Sequence, residues 1–151
     1  MLDRLLPGRI DSSYRGHPLA LWLFGAAVAV KILQGVMVIF NGSEIARSAD
    51  RIPLDSFPPA AAQTVVALFA LTGFSRLVVS ALCVLALVRY RAAVPFMLGL
   101  LAVDYLLKEL LLHFIPVPTV GPVPGPFVNL GLFAVVVVGL VLALLTRADR
   151  S

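Results

Sequence analysis

Residues 19–40 read LALWLFGAAVAVKILQGVMVIF, an apolar run opened by Pro18, closed by Asn41-Gly42 and broken only by Lys31 and Gln34. At a helical rise of about 1.5 Å per residue such a run crosses the ~30 Å hydrocarbon core of a bilayer. Three further stretches read the same way: 60–88 behind Phe57-Pro58-Pro59, 93–114, and 127–145. The expected fold is an all-α membrane protein, with four transmembrane helices in an up-down bundle and a single integral-membrane domain over residues 1–151. The first run follows a basic N-terminus, as a signal peptide would. Its length, the internal Lys31 and the spans behind it predict a retained anchor instead.

Composition points the same way. The chain is 60% hydrophobic and 13% charged, outside the usual range of soluble domains, and no second compositional regime suggests a second domain. The net charge of +4 comes from dispersed residues without a Lys or Arg run, so the basic side chains orient the protein in lipid and no nucleic-acid partner is expected. Cys83 is the single cysteine, which excludes an intrachain disulfide, a CxxC pair and a cysteine zinc site.

Counting Lys and Arg outside the spans sets the orientation. Arg4, Arg9, Arg15, Arg89, Arg91, Arg147 and Arg150 fall on one side, Arg47 and Arg51 on the other. Both termini are therefore expected in the cytoplasm, and a bacterial inner membrane is the expected location. Of the two outer loops, 42–59 is polar and carries Glu44, Arg47, Asp50 and Arg51 at spacings that suit a short interfacial helix ended before Pro53. The other, 115–126, holds five prolines and two glycines without a charge, and reads as a stiff polyproline-like connector, with a re-entrant or ligand-covering loop as the alternative.

The charges inside the spans are the functional clue. A charged group at the centre of a span costs roughly 2.5–3.5 kcal/mol on insertion scales, so it normally faces a bundle interior and has a partner or a purpose. With both termini cytoplasmic, Lys31, Arg76, Asp104, Lys108 and Glu109 share the middle layer. Together with Gln34 they form the candidate intramembrane polar site, and Thr72, Ser80 and His113 are secondary candidates. On the second span Thr72, Arg76, Ser80 and Cys83 lie on one helical stripe beside Gly73, which predicts that packing seam and site are the same surface. Asp104 and Lys108 form an i,i+4 pair, and Glu109 lies about 100° round the helix and aligns with His113. The third span is thus expected to be the most enclosed of the four or to contact another subunit. The fourth, with Asn129 and Thr146 as its polar side chains, is expected to face lipid.

Three midplane cations meet two carboxylates, Asp104 and Glu109, which leaves one positive charge over. A neutral lysine, an anionic ligand or lipid group, or a water-filled cavity each resolves the excess. No metal or cofactor is expected: there is no HExxH or comparable spacing, and His17 and His113 fall at opposite interfaces.

Lys31-x-x-x-Gly35, Gly73-x-x-Arg76, the basic turn Arg89-Tyr90-Arg91 and Pro95 opening the third span resemble a bacterial family of small four-span membrane proteins, known as a domain of unknown function. That resemblance implies the topology and carries no activity. The chain departs from it at Arg76, where lysine is usual, and in the Pro/Gly-rich loop. Three functions then compete. The first is a non-catalytic accessory or assembly module, partnered by membrane lipids and by its own copies or another subunit of a membrane complex. The second is a small transporter or channel for a solute or proton, with Lys31, Arg76, Asp104 and Glu109 along its path. The third is a membrane enzyme acting on a lipid or quinone, with Asp104, Glu109 or His113 as acid or base.

Overall fold

A computed structural model describes residues 12, 14 and 16–145. Five α-helices occupy them: α1 Pro18–Phe40, α2 Gly42–Ser48, α3 Pro59–Val88, α4 Val94–Phe114 and α5 Gly125–Leu144, with short 3₁₀ turns at Leu54–Ser56 and Arg91–Ala93. No strand occurs among the described residues. The helix starts are written in proline. Pro18, Pro59, Pro95 and Pro126 all fall in a first helical turn, where a missing N–H costs nothing. His17 caps α1, its Nδ1 accepting from the Leu19 amide at 3.2 Å.

Helices α1, α3 and α5 are long and apolar enough to cross a membrane. Helix α4 has the length, with 21 residues, and carries Asp104, Lys108 and Glu109 in its second half. These bounds lie within two residues of the expected spans. The short helix expected in the first outer loop is α2, which ends at Ser48 and leaves Asp50 and Arg51 in the turn beyond it.

Across the bundle the long helices stand in the order α3, α1, α5, α4, with α1 packed on α3 and α5, and α4 packed chiefly on α5. Neighbours are antiparallel. At one end, the turn end, the His17 amide donates to the Leu142 carbonyl at 3.2 Å; at the other, the loop end, the Gly125 amide donates to Ala49 O at 3.2 Å. The main core sits in the turn-end half, where Phe24, Cys83, Val94, Leu98 and Val136 are almost fully buried. The loop-end half has its own small cluster, Ala46, Ile52 and Leu54 against Val65, Val66 and Phe69, which seats α2 and its turn on α3. An Arg47–Asp55 ion pair of 2.7 Å closes that segment on the outside.

Of the two alternatives for α4, enclosure is not what the fold shows: from Val103 onward its residues are exposed or half-exposed, and Tyr105 stacking on Phe133 at 4.4 Å ties that half to α5. Helix α5, expected to face lipid, buries Val136, Gly139 and Ala143 between α1 and α4 and leaves most of its surface exposed. Hydropathy does not distinguish these cases, because a membrane helix is apolar towards both lipid and protein. The deciding signal is size: Gly139 and Ala143, one turn apart, leave the groove into which Leu98 and Leu23 fit.

The tightest contact is between α1 and α3. A Cβ on Gly73 would sit 2.8 Å from the Gly35 carbonyl oxygen, and one on Gly35 would sit 2.9 Å from Leu77 Cδ2. Backbone on one side cannot move aside as a side-chain tip can. Gly73→Ala is therefore expected to destabilise the bundle by about 1–3 kcal/mol, whereas Gly131→Ala, with open space around its Cβ, should be neutral or slightly stabilising. Detergent-denaturation midpoints of the two variants check the contrast.

Candidate functional site

The α1–α3 crossing determines which polar residues meet. With Gly35 opposite Gly73, antiparallel register brings Lys31 and Gln34 on α1 to the level of Arg76 on α3. Lys31 interacts electrostatically with Asp104 first, then with Lys108 and Arg76, so the charge on α1 is felt by α3 and α4 together. On α4 the Asp104–Lys108 pair is direct, Nζ to Oδ2 at 2.8 Å, with the two side chains 42% and 48% exposed. Glu109 stands apart from it and interacts electrostatically with Tyr105, the side chain stacked on Phe133 of α5. His113 lies beyond, exposed and edge-on to Phe114. The expected layer is thus divided: Lys31, Asp104 and Lys108 interact, Glu109 belongs to an α4–α5 contact, and His113 is placed with neither.

Arg76 takes the other direction. Between α1, α2, α3 and the start of α5 lies a cavity of about 320 Å³, whose polar lining is Gln34, Asp50, Thr72, Arg76 and Asn129. Of the four residues of the expected transport path, only Arg76 lines it. Thr72 is partly committed, its hydroxyl donating to Leu68 O at 2.9 Å. Ser80, one turn below the cavity level on α3, is buried with an unpartnered hydroxyl and belongs to the packing seam with Gly73, Cys83 and Ala86. The stripe expected on the second span is therefore the buried seam over Gly73, Ser80 and Cys83, with Arg76 at its edge and Thr72 exposed.

Asp50 is the residue that sequence reasoning did not place at the site. Its carboxylate sits against the start of α5, where a Cβ on Gly125 would lie 3.0 Å from Oδ1, and it senses the charge of Arg76. The contact depends on the two outer loops meeting. Val120 donates its amide to Arg51 O at 2.9 Å, and Arg51 turns the chain there with a φ of 53°. The Pro/Gly-rich segment is accordingly not a free connector: it is tied to the first loop and delivers Gly125 to the cavity rim. Asp50 also alters the charge count, since Lys31, Arg76 and Lys108 now have a third carboxylate beside Asp104 and Glu109.

Among the described residues no three His, Cys, Asp or Glu side chains come together as a metal site requires. No family model, curated protein or solved structure matches the chain.

Burial pushes the Asp50 carboxyl above the usual carboxylate range, and Arg76 only partly offsets the rise. A raised folded-state pKa means that the protonated acid favours the fold. Its contribution is fully present below the ordinary carboxylate value and is lost as pH rises through the raised one. Asp50→Asn is therefore expected to remove part of the decline in stability between about pH 3.5 and about pH 7. Unfolding midpoints of wild type and variant at both pH values measure it; identical slopes would count against the burial of Asp50.

Proposed function

We propose that the chain is a small four-span protein of a bacterial inner membrane, with both termini cytoplasmic, acting as a non-catalytic assembly module whose α4 joins a second copy or a partner subunit. The observation that carries this reading is the half-exposed Asp104–Lys108 pair on a half of α4 that the other helices leave largely open. If α4 spans, that pair faces hydrocarbon in a lone chain, where each charge costs roughly 2.5–3.5 kcal/mol. A protein neighbour on the same face removes the cost, and the i,i+4 pair then fixes which neighbour fits and at what register.

Helix length and the placement of the arginines support the topology. Helix α4 at 21 residues reaches about 31 Å, enough to cross beside α1, α3 and α5. Arg89 and Arg91 stand at the turn end, while Arg47 at the loop end is paired with Asp55, which supports a cytoplasmic turn end. The resemblance to small four-span proteins agrees with that topology.

In a mild detergent or a lipid nanodisc the protein should have a mass that is a multiple of 16.1 kDa, or carry a stoichiometric partner. The double variant Asp104→Asn, Lys108→Gln should shift it to single chains, because the uncharged face no longer needs cover. A wild-type monomer in the nanodisc, or a double variant still fully assembled, would sink the reading.

A further inference from the structure

The cavity between α1, α3 and α5 has a use that the charges of α4 do not explain. Its polar side chains are not spent on one another. Among the described residues Arg76 and Asp50 form no ion pair, and neither they nor Gln34 and Asn129 make a side-chain hydrogen bond, although Arg76 and Asp50 sense each other's charge. A cation and an anion thus line one cavity without an ion pair between them, together with two amides.

We propose that this cavity binds a zwitterion in which a primary ammonium lies a few bonds from a phosphate, the chemistry of an ethanolamine phospholipid headgroup. Arg76 offers a fork of N–H donors suited to phosphate, and the amide groups of Gln34 and Asn129, which line the same cavity, add further donors. The nearby charge of Lys31 also favours an anion there. Asp50 and the amide oxygens accept from the ammonium. A quaternary ammonium, which has no N–H to donate and is held by aromatic cages, finds only Phe69 among the lining residues.

Size and position suit the same ligand. A volume of about 320 Å³ is at the lower end of ligand pockets and accommodates a headgroup without its chains. Met37 and Val128 line the cavity while 45% and 58% exposed, so its mouth is apolar and lets acyl chains leave along the outside of the helices. Asn129 lies one turn into α5, about 6 Å along the helix from its start, so the cavity lies near the loop end of that helix. None of these residues belongs to the α4 face, so the site and the assembly reading stand or fall separately.

The test is a native mass spectrometry titration of the detergent-solubilised full chain with short-chain phosphatidylethanolamine, phosphatidylglycerol and phosphatidylcholine, and with free phosphoethanolamine as competitor. Phosphatidylethanolamine should bind best. Arg76→Gln should weaken it by about tenfold or more, and Asp50→Asn, expected to fold at least as well as wild type at neutral pH, should abolish its preference over phosphatidylglycerol. If Arg76→Gln does not fold, Asn129→Leu takes its place and should also weaken binding. Competition by free phosphoethanolamine at equal affinity would support the site and assign it to a soluble zwitterion; failure to compete would support it and assign it to the lipid. Equal binding of all three headgroups, or a preference untouched by Asp50→Asn, overturns the proposal.

Discussion

The backbone of α1 meets the backbone of α3 at Gly35 and Gly73, and the arrangement of the rest depends on that contact. Either glycine given a side chain would collide with its partner helix, Gly73 with a carbonyl that has nowhere to go. In a membrane, where apolar surface gains nothing by leaving lipid for protein, such close approach is a main source of helix association. The contact also acts at a distance along the helices. It sets Lys31 and Gln34 level with Arg76 and aligns α3 so that its buried seam continues through Ser80 and Cys83 to Ala86.

Charges that share a depth need not share a purpose. Lys31, Asp104 and Lys108 interact across α1 and α4; Glu109 interacts with Tyr105, which stacks on α5; Arg76 looks into a cavity with Asp50. The main core around Phe24 and Leu98 occupies the turn-end half, and the loop-end half holds the cavity that Arg76 and Asp50 line.

Much of this was legible from residue order. Proline in the first turn marks each long helix, and apolar runs broken by a few charges mark their lengths, so the expected bounds lie close to those of α1, α3, α4 and α5. The seam on α3 was readable from Thr72, Arg76, Ser80 and Cys83 at helical spacing, because periodicity along one helix is a local property. Asp50 was not readable. It enters the site through loop-to-loop hydrogen bonds, Gly125 to Ala49 and Val120 to Arg51, and no local pattern encodes a meeting of two loops some seventy residues apart. The only signal was indirect, the unbalanced positive charge, which pointed to a missing anion without saying where it lay. The exposure of α4 was hidden for a different reason: a helix rich in charge is read as interior, and a chain that leaves such a helix uncovered gives no sequence sign of doing so.

Helix α3 has a further consequence through its length. Its 30 residues extend about 45 Å, against about 30 Å for α5 with 20 residues and a hydrocarbon layer of similar thickness. The difference of about 15 Å is taken up by tilt of α3 or by its projection past the acyl chains. The excess belongs to the loop end, where Val65 and Val66 are already covered by Ala46, Ile52 and Leu54, so α3 carries its own apolar sheath above the acyl chains. A thicker membrane would draw that sheath into lipid and press on α2, and a thinner one would expose more of it. The loop-end part of α3 thus carries the α2 segment beside the cavity that Arg76 and Asp50 line.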